Sequence, residues 1–297
     1  MSKQASISTL GQLLGPYVRM SEQDLAKWVV EDGTPPSLAE AMRYCVLGGG
    51  KRLRPALVFL ACQAAGGPVD QATRRSAVAV ELVHCYSLVH DDLPAMDDDT
   101  LRRGRPTAHV RFGEAMAILA GDALLTRAFS VLSEVPDARS GPLAAELARG
   151  AGPAGMIAGQ VADMGLCELP ADTDALRYIH LRKTAALITS AARMGALCGR
   201  ADERALAAVA AAGENLGLAF QVLDDVLDVT GNAAGLGKTP GKDAQAGKRT
   251  YVSELGLEGA RELGRRLTDA AIEALAGLGA PADPLRLLIR LLAERTH

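Results

Sequence analysis

The 297-residue sequence has few aromatic residues, which make up only 3% of the chain. Long β-branched runs and sustained apolar–polar alternation are also absent, which excludes β-sandwiches and β-barrels as the fold class. The net charge is −3, so nothing global indicates a nucleic-acid partner. Any phosphate chemistry must therefore come from a local cluster of basic residues.

Paired cysteines and long hydrophobic runs are absent as well. The five cysteines are odd in number, widely spaced and free of any CxxC pair, a pattern that favours reduced thiols over a disulfide framework. No apolar run reaches the roughly 18 uncharged residues of a membrane span, and the first residues lack the continuous apolar segment of a secretory signal. We therefore expect a soluble cytoplasmic protein with no stable membrane insertion.

What the chain does contain is helical periodicity. Apolar residues recur at three- and four-residue spacing from Ser6 to Val30 and from Ser37 onward, the period of helices with one buried face. Ser37 to Glu40 resembles a capping box, and further N-cap candidates are Asp70, Asp172 and Asp202. No repeat, linker or change of composition divides the chain. The sequence predicts an all-α fold with a single domain, residues 1–297, in a bundle of about ten or more helices.

A first acidic cluster ends the apolar segment ELVHCYSLV and contains Asp91, Asp92 and Asp97. Like charges this crowded repel one another unless cations lie among them. Pro94 should end the helix, leaving Asp91 and Asp92 on its last turn and letting Asp97 return towards them. Carboxylate oxygens are ligands that Mg²⁺ prefers, with substrate phosphates completing its coordination.

A second acidic cluster, Asp224, Asp225 and Asp228, lies inside the apolar segment LGLAFQVLDDVLDVTG. On a helix all three carboxylates can face one space. Either cluster alone could be an N-cap, a charged helix face or an adventitious cation site. Two clusters, each following a long apolar helix, instead predict facing carboxylates across a cavity of the bundle.

Basic residues accompany both clusters and predict a highly phosphorylated ligand. They are Lys51, Arg52 and Arg54 after a glycine triplet, Arg102, Arg103 and Arg105, then Lys183, and finally Lys238, Lys242, Lys248 and Arg249. Three Mg²⁺ ions could join one diphosphate to the aspartates while basic side chains hold a second diphosphate. The irregular stretch 232–249 could be a flap over the site or a solvated loop. Surface salt bridges are expected for Arg52, Arg74, Arg75 and the C-terminal arginines.

Seven ordered blocks closely resemble the trans-isoprenyl diphosphate synthase family, in particular its bacterial farnesyl diphosphate synthase branch. They are GGGKRLRP (48–55), LVHCYSLVHDDLPAMDDDTLRRGRPTAH (82–109), AGDALLT (120–126), AGQVADM (158–164), Lys183-Thr184, FQVLDDVLDVTG (220–231) and LGKTPGKDAQAGKRTY (236–251). The blocks span about two hundred residues in family order. The resemblance implies helices around a central catalytic cavity, as in isoprenoid synthases. The sequence departs from the family pattern at Ala185-Ala186, where Gly-Ala is common.

The resemblance implies that isopentenyl diphosphate is condensed head to tail with dimethylallyl or geranyl diphosphate to give farnesyl diphosphate. It assigns Mg²⁺ to the six aspartates Asp91, Asp92, Asp97, Asp224, Asp225 and Asp228. Isopentenyl diphosphate is assigned to Lys51, Arg54, His84 and Arg103. The allylic substrate is assigned to Arg102, Lys183, Gln221 and Lys238, and flap closure to Lys248. Oxygens of Thr184 and Gln221 would stabilise the developing cation, and the departing diphosphate would take the proton.

Product length is expected to depend on the residues one helical turn before Asp91, which are Tyr86 and Ser87. In the resembling family an aromatic side chain here commonly stops elongation at fifteen carbons, although Tyr86 could simply be a core residue. His90 is expected to be structural. A homodimer is expected by analogy with the family.

Three other functions compete with this one. A geranylgeranyl diphosphate synthase would use the same chemistry and differ in product length. A class I terpene cyclase normally carries Asn, Ser and Glu ligands in its second metal motif and needs no second diphosphate site, whereas this motif is rich in aspartate. An inactive regulatory subunit would have lost an acidic motif, and both are intact.

Overall fold

The computed structural model of the chain describes residues 3–230 and 249–294, with the side chains of residues 3–8 left aside. These residues are mostly helical, which confirms the predicted all-α bundle of about ten or more helices. The first six helices are α1 (Lys3–Trp28), α2 (Pro36–Val46), α3 (Leu53–Ala64), α4 (Gln71–Asp91), α5 (Ala108–Phe112) and α6 (Glu114–Ser133). The next four are α7 (Ser140–Ala151), α8 (Met156–Asp163), α9 (Ala175–His180) and α10 (Ala186–Cys198). The last three are α11 (Glu203–Thr230), α12 (Tyr251–Ala274) and α13 (Asp283–Ala293).

Short irregular elements join some of these helices. A π-helical turn, Leu181–Ala185, connects α9 to α10, and two 3₁₀ turns, Ala276–Leu278 and Ala280–Ala282, precede α13. Between α4 and α5 lies a small antiparallel hairpin of β1 (Leu101–Arg102) and β2 (Arg105–Pro106), in which Arg102 pairs with Arg105. The hairpin is too short to change the fold class, but it carries basic residues of the predicted site.

Helix starts follow the sequence at some predicted positions and depart from it at others. Asp70 caps α4 by accepting the Thr73 N–H at 3.0 Å, and Asp202 accepts the Ala205 N–H at 2.7 Å. The capping box expected at Ser37 is wrong, because α2 begins at Pro36 with its N-cap at Pro35. The cap expected at Asp172 is also wrong, since Asp174 caps α9.

The core is built mainly by α3, α4, α10 and α11, which pack against one another and are flanked by α6 and α12. A single large hydrophobic cluster includes residues from both ends of the described chain, such as Leu14 of α1 and Leu288 of α13. Glycines bring the helices close: a Cβ at Gly195 of α10 would lie 2.3 Å from the Val58 carbonyl oxygen of α3. Close packing of this kind fixes the helices that carry the acidic motifs.

Two described helices, Glu114–Ser133 and Glu203–Thr230, are long and apolar enough to cross a membrane by length and composition alone. In each, close to half of the most apolar window is buried inside the protein, at 44% and 50%. Core helices of soluble proteins have the same character, so this composition is weak grounds for a membrane span.

Candidate active site

The first acidic motif lies where α4 ends. Asp91 is the last residue of the helix, Asp92 is its C-cap, and Pro94 prevents continuation. The chain then turns back, and the Asp97 N–H donates to the Asp91 carbonyl at 2.8 Å. The predicted return of Asp97 is therefore confirmed by the backbone.

The carboxylates of Asp91 and Asp92 in the first motif are at least partly buried. Burial raises the pKa of Asp91, the charge of Lys183 opposes this effect and that of Asp97 adds to it, and the resulting pKa is about 6. Asp92 is only 3% exposed and accepts from Arg102 Nε at 2.8 Å through both of its oxygens. Arg102, expected on the allylic substrate, thus neutralises a carboxylate of the motif itself.

The second acidic motif lies on the C-terminal half of α11, and its three carboxylates have different surroundings. Asp224 is exposed, Asp228 is half-buried and Asp225 is 3% exposed. Asp225 Oδ2 accepts the N–H of Tyr251, the first residue of α12, at 2.9 Å. Its Oδ1 accepts from Gln221 Nε2 at 3.1 Å.

The residues expected at the allylic cation lie together. Thr184, within the π-helical turn, donates from Oγ1 to Gln221 Oε1 at 3.2 Å. Lys183, the preceding residue, forms an ion pair with Asp163 at 2.6 Å and is close enough to Asp91 to lower its pKa. The Lys183-Thr184 pair therefore lies between the first motif on α4 and the second on α11.

The π-helical turn itself was not expected from the sequence. It is pressed between two glycines: a Cβ at Gly159 of α8 would lie 2.0 Å from the Lys183 nitrogen, and one at Gly217 of α11 would lie 2.5 Å from the Ala185 Cα. The methyl group of Ala185, the departure noted above, is thus accommodated opposite a glycine. π-Helical turns of this kind often occur at functional sites. Sequence reasoning also assigned no role to Asp163, the ion-pair partner of Lys183. Its place in the AGQVADM block is the signal that could have identified it.

A cluster of basic side chains lies near the middle of α4, and its charges crowd one another. The Nε atom of Arg54 is buried without a hydrogen-bond partner, and burial lowers the Arg54 pKa. Burial lowers the pKa of His84 well below its usual value, and the charges of Arg54, Arg103 and Arg102 lower it further. An anion would satisfy the unpartnered Arg54 nitrogen and could be reached by the exposed Arg103 guanidinium. We call Arg54, His84 and Arg103 the anion cluster.

The loop before α3 and the β1–β2 hairpin hold Arg103 of the anion cluster in position. Arg103 has a left-handed backbone with φ of 54° and donates to the Gly49 carbonyl. Gly50 has φ of 147°, and a Cβ there would lie 2.5 Å from Arg103 Nη1, so a side chain would displace the guanidinium. The exposed Lys51 follows in the same loop.

Tyr44 of α2, which sequence reasoning missed, contacts both residues of strand β2. Its hydroxyl donates to the Pro106 carbonyl at 2.7 Å, and Arg105 lies over its ring at 4.2 Å from the centroid. No motif distinguishes this tyrosine from an ordinary half-buried aromatic residue, so only the fold shows its role.

Two arginines expected on the surface are instead buried. The Arg52 side chain is fully buried and bonds to Glu22 at 2.6 Å, to Glu81 at 2.7 Å and to the Val46 carbonyl at 2.7 Å. Arg75 is 7% exposed, with its guanidinium 4.7 Å from the Trp28 ring centroid. The expectation of surface salt bridges is wrong for these two residues, because both side chains extend into the core to reach partners on other helices. Arg74, which is 39% exposed in its pair with Asp24, does lie at the surface.

The residues expected to limit product length lie on α4 below Asp91. Tyr86 is 7% exposed, with its ring centroid 5.7 Å from that of His90 in an edge-to-face arrangement. Ser87 turns inward along its own helix and donates to the His84 carbonyl at 2.9 Å. His90 lies 3.1 Å from the Ile118 carbonyl of α6, where Gly121 leaves room for the ring. His90 therefore joins two helices, as expected of a structural residue.

Carboxylates of both motifs have the donor chemistry of a hard cation such as Mg²⁺. Burial is the main cause of the raised pKa of Asp91, and a bound cation would favour the ionised form of this carboxyl. Within residues 3–230 and 249–294, no three His, Cys, Asp or Glu side chains converge as a ready-made metal cage. The fit to Mg²⁺ rests on donor chemistry, because this ion takes one or two carboxylates and completes its shell with water and phosphate oxygens.

Two predicted residues, Lys238 and Lys248, and most of the expected flap lie outside the described residues. Of that stretch only Arg249 is described, and it forms an ion pair with Glu254 near the start of α12.

Residues 35–275 match the family model for polyprenyl synthetase. Farnesyl diphosphate synthase of Escherichia coli (strain K12) is 48% identical over 89% of this chain and 90% of its own length. Geranylgeranyl pyrophosphate synthase 11, chloroplastic, of Arabidopsis thaliana is 46% identical over 88% of this chain and 75% of its own length. The solved structure of an FPP/GFPP synthase from Zymomonas mobilis has a TM-score of 0.83 and 36% identity, covering 96% of this chain and 99% of that one.

Proposed function

Since this chain belongs to the polyprenyl synthetase family, we propose that it condenses isopentenyl diphosphate with dimethylallyl or geranyl diphosphate to give farnesyl diphosphate. The chain is a prenyltransferase. The specific reaction is supported by a chain of interactions that joins the two acidic motifs. The charge of Lys183 lowers the pKa of Asp91. The next residue, Thr184, donates a hydrogen bond to Gln221, which donates to Asp225. Both acidic motifs thus border one space.

In this proposal the allylic diphosphate binds between the two acidic motifs. The carboxylates of Asp91 and Asp97 on one side and Asp224 and Asp228 on the other hold Mg²⁺, with three ions in the complete site. Bound Mg²⁺ supplies the positive charge that holds the leaving diphosphate. Lys183 lies on the same side as Asp91 and contributes a further cationic contact. We assign Lys238 to the allylic diphosphate and Lys248 to closure of the flap.

Isopentenyl diphosphate occupies the anion cluster, with Lys51 beside it. The buried and unpartnered Nε of Arg54 supports this assignment, because a diphosphate oxygen would satisfy it. The depressed pKa of His84 keeps its ring neutral, so it serves as a hydrogen-bond donor while the two arginines supply the charge. Arg102 lies between the two substrates and holds Asp92 in place.

The chemical step moves electrons from one substrate to the other. The bond between the allylic carbon and its diphosphate oxygen breaks, and the electron pair leaves with the diphosphate. The isopentenyl double bond then supplies the pair for the new carbon–carbon bond, and the departed diphosphate takes the proton that is lost. The oxygens of Thr184 and Gln221 face the transient cation as dipoles, which stabilise charge without acting as nucleophiles.

Tyr86 supports a fifteen-carbon product over the geranylgeranyl alternative. Its ring is buried against His90 about one turn below Asp91, where it limits the depth available to a growing chain. Geranylgeranyl diphosphate as the main product of the native enzyme would contradict this part of the proposal.

The direct test is a product assay with the purified protein. We expect labelled isopentenyl diphosphate to be incorporated with dimethylallyl or geranyl diphosphate, and chromatography of the dephosphorylated product to show fifteen carbons. Excess chelator should abolish turnover, and added Mg²⁺ should restore it. A cyclised hydrocarbon formed from the allylic diphosphate alone would instead favour a terpene cyclase, and incorporation that persists in chelator would remove Mg²⁺ from the mechanism.

The anion cluster is tested by replacing one of its arginines. Arg54→Ala removes charge-assisted hydrogen bonds worth roughly 1.5–3 kcal/mol each, so the KM for isopentenyl diphosphate should rise about ten- to hundredfold. The KM for geranyl diphosphate should change far less. Arg265→Ala is the matched control, because Arg265 is exposed and pairs with Glu262 and Asp269 of its own helix. An effect confined to the allylic KM would mean that the two sites are reversed.

The same proposal includes one domain, a homodimer and a cytoplasmic location. One hydrophobic cluster containing residues of both α1 and α13 supports a single domain over residues 1–297. Adjacent exposed apolar residues on α6, Ile118 at 44% and Leu119 at 56%, support a subunit interface on that helix.

A further inference from the structure

Asp225 is the most buried carboxylate of the second motif, and protein donors bond to both of its oxygens. It is 3% exposed, and its two oxygens accept from different elements. Oδ2 accepts the Tyr251 N–H at 2.9 Å, and Oδ1 accepts from Gln221 Nε2 at 3.1 Å. A carboxylate so placed is oriented towards the protein, whereas the side chain of Asp224 is exposed to solvent.

The bond between Asp225 and Gln221 determines which way the glutamine amide faces. An ionised carboxylate can only accept hydrogen bonds, so it must be approached by the NH₂ end of the amide. Gln221 lies four residues before Asp225, on the same face of α11. Its carbonyl oxygen is consequently directed to the other side, where it accepts from Thr184 at 3.2 Å. That is the side on which the allylic cation is proposed to form.

The bond between Asp225 and Tyr251 fixes the start of α12. The first N–H groups of a helix have no partner within the helix, and Asp225 provides one for Tyr251. Thr250 and Ser253 complete the same helix start with a capping box. One side chain thus joins the orientation of Gln221 to the position of α12.

We propose that Asp225 is a positioning residue: it directs the Gln221 carbonyl towards the allylic cation and anchors the first turn of α12, and it does not bind Mg²⁺. This proposal differs from the metal-ligand role that the resemblance implies for Asp225, and it rests on the proposed function of the site. Asp224 and Asp228 keep the metal-binding role.

The decisive experiment is a substitution and a compensating second substitution. In Asp225→Asn the new amide can accept from only one of its two donors, so Gln221 must lose its bond or turn its NH₂ group towards Thr184. We expect kcat to fall at least tenfold. Adding Gln221→Glu restores the pattern, because the new carboxylate accepts from the asparagine NH₂ and presents an oxygen to Thr184. We therefore expect the double variant to recover slow amide hydrogen exchange at the start of α12, a readout that is independent of the carboxylate now facing the allylic cation.

A measurement without turnover separates positioning from metal binding. Calorimetry of Mg²⁺ binding in the presence of inorganic diphosphate should give affinities within about twofold for the native protein and Asp225→Asn. The matched control Asp224→Asn should weaken binding about tenfold or more. Amide hydrogen exchange at the start of α12 should quicken in Asp225→Asn and remain slow in Asp224→Asn.

Each outcome is decisive. Mg²⁺ binding weakened equally in Asp225→Asn and Asp224→Asn would overturn the proposal, as would a double variant in which amides at the start of α12 exchange as fast as in Asp225→Asn. If Asp225→Asn does not fold, recovery of folding in the double variant supports the proposal, and failure of that variant to fold overturns it. A native protein with no prenyltransferase activity would refute the proposed function, while Mg²⁺ binding and hydrogen exchange would still decide the role of Asp225.

Discussion

His84 occupies an unusual position for a histidine that is expected to bind a diphosphate, because burial and neighbouring arginines lower its pKa well below the usual value. A histidine that must stay neutral in the native state gains a proton more readily when the chain unfolds. The unfolded state therefore binds more protons as the pH falls below the usual histidine pKa of about 6.5. Stability should decrease in acid for this reason.

The first prediction concerns this pH dependence. The free energy of unfolding should fall between about pH 7 and pH 5, and it should fall less in His84→Gln. His180, whose pKa burial lowers to about 4, acts in the same direction in both proteins, so the difference between the two isolates His84. Denaturant titrations at several pH values measure it. Parallel pH profiles for the two proteins would contradict the depressed pKa.

The second prediction concerns Tyr86 and product length. Tyr86→Ala should shift the product towards twenty carbons or more, because it removes a buried ring about one turn below Asp91. The cavity should also lower the free energy of unfolding by about 3–5 kcal/mol. Phe59→Ala is the matched control, since Phe59 is a fully buried aromatic residue of α3. We expect a similar loss of stability with unchanged product length. Unchanged product length in Tyr86→Ala would assign the cavity floor to another residue.

At the scale of whole elements, Arg52 ties the basic loop to three helices. Its guanidinium bonds to Glu22 of α1, to Glu81 of α4 and to the last residue of α2, Val46. Arg52 also takes a left-handed backbone with φ of 47°, which such anchoring has to hold in place. The flanking residues Lys51 and Arg54 thereby acquire a fixed position.

The third prediction tests this anchor. Glu81→Gln leaves a buried guanidinium with one fewer charged partner, so the free energy of unfolding should fall by up to about 3–5 kcal/mol. The exposed pair of Arg265 and Glu262 provides the comparison, since Arg265→Ala should cost only about 0–1 kcal/mol. Denaturant unfolding with a common slope gives both values. A cost for Glu81→Gln no larger than that of Arg265→Ala would show that Arg52 gains little from burial with its partners.

At the scale of the whole molecule, α6 presents an apolar surface that the described chain leaves uncovered. Ile118 and Leu119 are adjacent and exposed, while the opposite side of the helix, including Leu124 and Ala128, is fully buried. A helix that is apolar on both sides is typical of a buried position. A second copy of the chain would cover the exposed side in the proposed homodimer.

The fourth prediction is the oligomeric state. The native protein should be a dimer by light scattering at micromolar concentration, and Leu119→Arg should shift it to the monomer by placing a charge within the interface. Leu255→Arg is the matched control, because Leu255 is 50% exposed on α12. A native monomer, or a dimer unaffected by Leu119→Arg, would contradict the proposed interface.

Local sequence determined much of this protein. Three- and four-residue periodicity dictated the helical class, because an apolar stripe at that period can be buried only on a helix. Pro94 ended α4 and brought Asp97 back to Asp91, since proline cannot continue a helix. Thr184 and Gln221 were recognised through their motifs, and the structure places them in hydrogen-bond contact.

Tertiary structure alone decided the rest, because the partners concerned are distant in sequence. The sequence predicts Arg52 at the surface, whereas in the fold it is buried between Glu22 of α1 and Glu81 of α4. Asp225 reads as one of three equal carboxylates until α12 brings the Tyr251 N–H to it. The side chain's chemistry is written in the sequence, but whether a carboxylate faces a cation or a backbone donor depends on which helix packs against it.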